Sequence, residues 1–390
     1  MIPPRALRRR AADSQPTHAP ATIVAASSTP ADLRGIYVSS DALPQSKEKE
    51  AGLAASLQVP GVDGLLLVLG WDAIEPGMGQ FQWDTLDKWM STAISTRKKV
   101  DLSITAYNAP AWLFQPAPGG GGAKPLHFTF IRKPSQPTCL SETIAAPWDT
   151  AFLAQWDSML AAVSAHLQSA GTYDAVALLR LTGINKDTGE LHLPSEPQTT
   201  TCDSDAITTW QQAGYRPSLL LHGWDGITSS FKKSFPDKSF SVAIIASADP
   251  FPGIAEDGSV INGKIPNQNL PLLTLASQKF PSHLVIQNNS LYPDLPAQPE
   301  TIQSAQSLGT MIAFQTNEDI VGQGAACGGR GSDRTTPCTA DTFLAELQTG
   351  IYPLGKSNPL RAQYIEVFAT NINAFPQVIQ EAHNELLGNP

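Results

Sequence analysis

The chain has 390 residues, 42% of them hydrophobic and only 16% charged, with a formal net charge of −9. A large core is within reach of one α/β barrel. The acidic balance argues against a nucleic-acid or anionic-membrane surface, because there is no broad cationic field, and no apolar run reaches the roughly 18 residues a transmembrane helix needs.

Residues 1–32, which begin "MIPPRALRRRAADSQPTHAP", lack an apolar segment of signal-peptide length and read as a disordered leader or linker, or as the remains of a trimmed export signal. From residue 33 to the C-terminus at 390 an alternating rhythm sets in. Strands are predicted at 33–40, 62–71, 99–108, 174–183, 239–249, 282–289, 309–316 and 363–370. Most are near-continuous apolar runs, the pattern of strands buried on both faces of a parallel sheet. Helical spacing recurs between them. Leu86, Trp89, Met90 and Ile94 share one face, as do Phe152, Leu153, Trp156, Leu160 and Val163. Further helices are predicted over "LLLHGWDGITSSFKKSF", "TFLAELQTGIY" and "FPQVIQEAHNELL". Eight strands alternating with helices predict an α/β chain folded as a single-domain (β/α)8 TIM barrel, with long loops after strands three and four. One such loop, "PAPGGGGAKP", is expected to be mobile. An open doubly wound sheet lacks its Gly-rich turn here, and no phosphate-loop motif occurs.

The four cysteines, Cys139, Cys202, Cys327 and Cys338, form no CxxC pair and sit in loop-like stretches. A local Cys327–Cys338 disulfide and a Cys139–Cys202 bridge are expected, which favours an oxidising compartment and a secreted or periplasmic location. No metal site is expected, since the seven histidines are scattered and neither HxH nor HExxH occurs. No cofactor motif is found, and a monomer is the default expectation.

A barrel of this type holds its site at the carboxyl ends of the strands. Trp71, Tyr107, Asn108, Trp112, Asn185, Asp249, Asn288, Tyr292 and Gln315 fall there, with Glu190 after strand four and Asn317–Glu318 after strand seven. Aromatic faces, amides and carboxylates suit a neutral carbohydrate, and paired carboxylates suit glycosidic cleavage. A Ser–His–Asp triad is disfavoured, because neither His192 nor His283 lies near a GxSxG elbow. Glu75, in "IEPG", reads as a loop-fixing carboxylate. Glu366, inside "YIEVF", must be paired or lie at the barrel's end.

The stretch 64–113, "GLLLVLGWDAIEPGMGQFQWDTLDKWMSTAISTRKKVDLSITAYNAPAWL", resembles the second and third β/α units of clan A glycoside hydrolases. Residues 210–246 are similar to the helix and fifth strand of related sugar-active barrels. The resemblance implies a glycosidase acting on an oligo- or polysaccharide by a retaining mechanism. A Glu after strand four serves as acid/base and a Glu at strand seven as nucleophile; by position these are Glu190 and Glu318. The family's strand-four signature is Asn followed directly by Glu. Here Asn185 precedes Lys186, Glu190 comes five positions after the Asn, and Glu196 competes for the role. A non-catalytic carbohydrate-binding barrel is the alternative, and a lyase or transglycosidase on the same scaffold a further one.

Overall fold

The computed structural model describes residues 32–39, 46–116, 118–133, 136–186, 189–195, 205–245, 250–262, 265–293, 297–316 and 338–388. Its strands are β1 (Gly35–Ser39), β2 (Val62–Gly70), β3 (Lys99–Thr105), β4 (Pro125–Lys133), β5 (Gln136–Ala145), β6 (Val176–Arg180), β7 (Glu190–Leu191), β8 (Ser239–Ile244), β9 (Leu284–Leu291), β10 (Met311–Thr316) and β11 (Tyr364–Phe368). Eight of them, β1, β2, β3, β6, β8, β9, β10 and β11, form a parallel sheet that closes on itself. β1 pairs with β11 from Gly35↔Tyr364 to Ser39↔Phe368, and β6 pairs with β8 from Leu178↔Ser239 to Arg180↔Ser241. This is the (β/α)8 barrel that the alternating pattern predicts.

A helix follows each barrel strand: Lys47–Ser56, Asp84–Ser95, Thr150–Ser169, Pro217–Ser234, Asn269–Lys279, Pro299–Leu308, Ala340–Ile351 and Pro376–Leu387. Local chemistry starts and stops them. The Asp149 carboxylate accepts from Ala151 N and Phe152 N at 2.9 and 3.0 Å, capping the helix that opens at Thr150. Pro217 opens the next helix at a position whose N–H has no helical partner in any case, and Gly309 ends Pro299–Leu308 in the left-handed conformation. In Asp84–Ser95 the buried face is Leu86, Trp89, Met90 and Ala93; Ile94, expected inward, is 43% exposed, because the stripe turns through Ala93 instead.

The barrel separates two interiors. Outward-facing strand residues such as Ile36, Val38, Leu65, Leu67, Leu102, Ile104, Val242 and Ile286 pack against the helices in one continuous apolar shell. Trp71, Trp112, Phe152, Trp156 and Phe231 interlock within it, with ring centroids 5.3–6.2 Å apart. Inside the barrel a small cluster of Leu33, Tyr37, Ala177, Leu178, Val285, Ala313 and Tyr364 plugs the end where the strands begin. Gly64 makes room for it: a Cβ there would lie 2.4 Å from the Tyr37 ring.

Both long insertions follow the predicted strands. After β3 the chain builds an antiparallel hairpin, β4–β5, from Pro125↔Ala145 to Lys133↔Gln136. The glycine stretch, expected to be mobile, is tied down instead. Gly121 N and Gly122 N donate to Trp112 O and Gln115 O at 2.8 Å, and Ala123 N donates to Leu113 O at 3.0 Å. Among the described residues no helix is long and apolar enough to cross a membrane. Cys139 and Cys338 are not free thiols; Cys202 and Cys327 lie outside the described residues.

Candidate active site

The second insertion decides where Glu190 goes. β6 stops at Arg180, Leu181 N donates to Ser241 O at 2.7 Å, and the chain then bulges away from the wall. It returns as the two-residue β7, which pairs in parallel with the far end of β8, Glu190↔Ala243 and Leu191↔Ile244. β8 is therefore bordered by β6 along its first half and by β7 along its last. The detour places Glu190 beside the carboxyl-terminal end of β8, where a longer fourth strand would have run.

Asn185 holds the detour. Its Oδ1 accepts from Gly183 N at 2.7 Å, and its Nδ2 donates to the Glu190 carbonyl at 2.7 Å. Gly183 sits at φ +112°, where L side chains rarely go, and an added Cβ would press on Ile227 at 3.0 Å. Asn185 is 3% exposed and bonded to the loop through both its oxygen and its nitrogen, so it acts on the site by shaping the loop. Lys186, the residue directly after Asn185, is buried too.

The Glu190 side chain is half-buried, and its Oε1 accepts from Asn289 Nδ2 at 3.0 Å. Beneath it, inside the barrel, lies a polar layer formed by the inward positions of four strands. Arg180 of β6 donates to Glu366 of β11, and also reaches Asp101 of β3 at 3.4 Å and Gln287 of β9 at 3.3 Å. Gln287 donates to Glu366 Oε2 and to Asn289 Oδ1, both at 2.8 Å, and accepts from the Tyr364 hydroxyl at 2.6 Å. Arg180, Asp101, Gln287 and Glu366 are all essentially buried, and buried charges persist only when paired and hydrogen-bonded.

The layer's protonation follows from its chemistry. Burial pushes the Asp101 carboxyl well above the usual carboxylate range; the Arg180 charge opposes this, while the Glu366 charge and a hydrogen bond with Glu366 reinforce it. Burial works against the Arg180 charge, but Glu366 and Asp101 outweigh it and hold the guanidinium protonated above its ordinary value. Burial therefore favours the neutral form of the Asp101 carboxyl, even beside the Arg180 guanidinium. Burial likewise raises the Tyr364 and Tyr37 hydroxyls well above the ordinary range, so both stay neutral.

The other predicted site residues divide. Tyr292, one position past β9, and Tyr107, past β3, are half-buried, and Asn108 is exposed. Gln315 of β10 is nearly buried and donates to Ser39 Oγ of β1 at 2.8 Å, linking two strand ends at the mouth. Trp71 and Trp112, expected at the sugar-facing rim, belong to the apolar shell, 0% and 5% exposed. Their indole N–H groups donate to the Glu75 carboxylate at 2.9 Å and to the Glu75 carbonyl at 2.8 Å, and the carboxylate also accepts from Gly79 N at 2.8 Å. Glu75 is therefore the loop-fixing group the sequence suggests. Asn288 points out of the barrel interior: it donates to Ile244 O at 3.3 Å, which fastens β9 to β8, and accepts from Ser290 N at 3.0 Å within β9. Asp249, Glu196, Asn317 and Glu318 lie outside the described residues. Among the described residues no group of three or more His, Cys, Asp or Glu is placed to hold a metal.

Sequence reasoning missed Arg180, Asp101 and Gln287. The signal was a polar residue interrupting each apolar run, in "VDLSI", "ALLRL", "VIQNN" and "YIEVF". The sequence reads the first three runs as apolar on both faces, whereas their inward residues pass from the apolar plug to a polar layer.

Residues 57–120 match the family model described as beta-galactosidase. That segment contains the whole stretch 64–113 and runs from just past the first helix through β2 and β3 into the loop that follows β3. No curated protein matches the sequence. Among solved structures the chain is similar to the catalytic domain of the beta-amylase from Paenibacillus polymyxa, at 13% identity and a TM-score of 0.54, covering 89% of this chain and 97% of that one. It is also similar to the intracellular xylanase TsXylA from Thermoanaerobacterium saccharolyticum, at 14% identity, a TM-score of 0.49, and 87% and 86% coverage. A third is xylanase XynB from Paenibacillus barcinonensis, at 12% identity, a TM-score of 0.49, and 87% and 84% coverage. The beta-amylase likeness establishes the barrel fold, and the family match supports glycoside hydrolase activity.

Proposed function

We propose that this protein is a glycoside hydrolase that cleaves an O-glycosidic bond of an oligo- or polysaccharide with two carboxylates. Glu190 is the acid/base and Glu318 the nucleophile of a retaining mechanism. The observation that carries the assignment is the β7–β8 pairing. It brings Glu190 to the carboxyl end of the barrel despite the five positions separating it from Asn185. Glu318 follows two positions after Thr316, the last residue of β10, the seventh barrel strand. In the reaction Glu190 protonates the glycosidic oxygen while Glu318 attacks the anomeric carbon; water, deprotonated by Glu190, then releases the sugar. Retention requires the two carboxyl groups about 5–5.5 Å apart. Tyr107, Asn108 and Tyr292 line the rim that meets the sugar. Export and the Cys139–Cys202 and Cys327–Cys338 bridges complete the proposal.

The test is product release from a panel of aryl glycosides and polysaccharides by the full-length chain, beside Glu190→Gln and Glu318→Gln. Hydrolysis by the parent protein is the expected result, with loss on every substrate in Glu318→Gln and loss on polysaccharides and poorly activated aryl glycosides in Glu190→Gln. Unchanged turnover in either variant removes that residue from the mechanism. Saccharide binding without product release would favour the non-catalytic carbohydrate-binding barrel.

A further inference from the structure

The buried layer beneath Glu190 is polar in a directed sense. Glu366 Oε2, bonded to a side-chain amide, accepts; Gln287 must therefore present its nitrogen to Glu366. The same nitrogen's second hydrogen goes to Asn289 Oδ1 at 2.8 Å, while the Gln287 oxygen is occupied by the Tyr364 hydroxyl and Arg180. Asn289, its oxygen taken, turns its nitrogen to Glu190 Oε1 at 3.0 Å. Each amide has one orientation that satisfies its neighbours, and the choice is imposed by a charge pair inside the barrel.

We infer that Asn289, oriented through Gln287 by the Arg180–Glu366 pair, is the positioning residue of Glu190: it fixes Oε1 as a hydrogen-bond acceptor and leaves Oε2 as the oxygen that carries and delivers the proton. This rests on the acid/base role proposed for Glu190. A protonated carboxyl has one donor oxygen and one acceptor oxygen. An N–H aimed at Oε1 disfavours the proton on that atom and favours it on Oε2. It also keeps the carboxyl from rotating during transfer, which requires geometry held to a fraction of an ångström.

Two measurements test the relay and its use separately. In full-length protein ¹⁵N-labelled at asparagine, the Asn289 side-chain amide signal, identified by its loss in Asn289→Ala, is expected to move in Glu190→Gln. An unmoved signal overturns the contact, and with it the inference, whatever the protein hydrolyses. The second measurement is kinetic, on phenyl and 2,4-dinitrophenyl glycosides. Asn289→Ala is expected to lower kcat on the phenyl substrate about 100-fold with KM little changed. The loss on the dinitrophenyl substrate is much smaller, since that leaving group needs little protonation. The isosteric Asn289→Asp, which sets a second carboxylate against Glu190, is expected to lose at least as much and guards against a packing artefact. Equal losses on both substrates, or none, overturn the positioning role. If the parent protein cleaves no glycoside while the amide signal still follows Glu190, the hydrolase reading fails and the geometric relay stands.

Discussion

The shell between strands and helices and the space inside the barrel are made from the same strands, yet they obey opposite rules. Outside, Trp71, Trp112, Trp156 and their neighbours fill an apolar layer by shape. Inside, above the plug around Tyr37, the residues are Asp101, Arg180, Gln287 and Glu366, joined by hydrogen bonds. The shell obtains stability from area removed from water. The polar layer contributes little net stability against an apolar substitute, but it fixes orientation. The contrast shows where the barrel is built for strength and where it is built to aim a side chain.

The comparison breaks most severely at Arg180. Arg180→Ala leaves Glu366 as an uncompensated buried charge and is expected to cost about 3–5 kcal/mol, read by urea unfolding; a cost below about 1 kcal/mol would show that the layer is hydrated or unpaired. Trp71→Ala excavates the shell and is expected to cost a similar or slightly smaller amount, about 3–5 kcal/mol. Unchanged stability with saccharide binding abolished would return Trp71 to the sugar-facing rim. Asn185→Ala frees both ends of the loop that returns Glu190 to the wall. About 1–3 kcal/mol is expected from the unsatisfied loop groups, with turnover falling further than stability does. A purely stability-proportional loss of turnover would mean the loop does not position Glu190.

The smallest effect concerns protonation. The folded Asp101 carboxyl titrates well above its unfolded value of about 3.9. Its stabilising contribution is therefore complete below the unfolded value and is lost as pH rises towards the folded one, because over that interval the folded state holds a proton the unfolded chain has released. Asp101→Asn removes that interval. Thermal melts should show the variant gaining on the parent protein as pH rises above about 4. A parallel pH dependence in the two proteins would place the proton elsewhere in the layer.

Much of the fold was legible because its determinants are local. Apolar runs bounded by turn chemistry marked all eight barrel strands, and helical spacing marked the Asp84–Ser95 and Thr150–Ser169 helices. The hairpin β4–β5 is absent from the sequence reading although Leu126 and Phe128 alternate in it and are buried with Ile144, because the eight longer apolar runs already fill the barrel pattern. Glu190 was found through position after strand four, but why it could stand five residues beyond Asn185 depended on β7 pairing with β8, a contact across more than 50 residues. Trp71 and Trp112 were misplaced because a strand-end aromatic looks alike in sequence whether it faces the mouth or the helices; the Glu75 contacts decide it. Asn289 stood beside the predicted Asn288, and only the two-residue alternation of β9 separates the one that reaches Glu190 from the one that fastens strands.

The account turns on Glu190 donating a proton to a departing sugar oxygen. The direct measurement is turnover of Glu190→Gln on phenyl and 2,4-dinitrophenyl glycosides, with azide present to replace the base function in the second step. The account predicts that hydrolysis of the phenyl glycoside is lost, by a factor of about 100 or more, while cleavage of the dinitrophenyl glycoside survives and yields a glycosyl azide. Equal turnover of both substrates at the parent rate, or equal loss of both with no azide product, would contradict it.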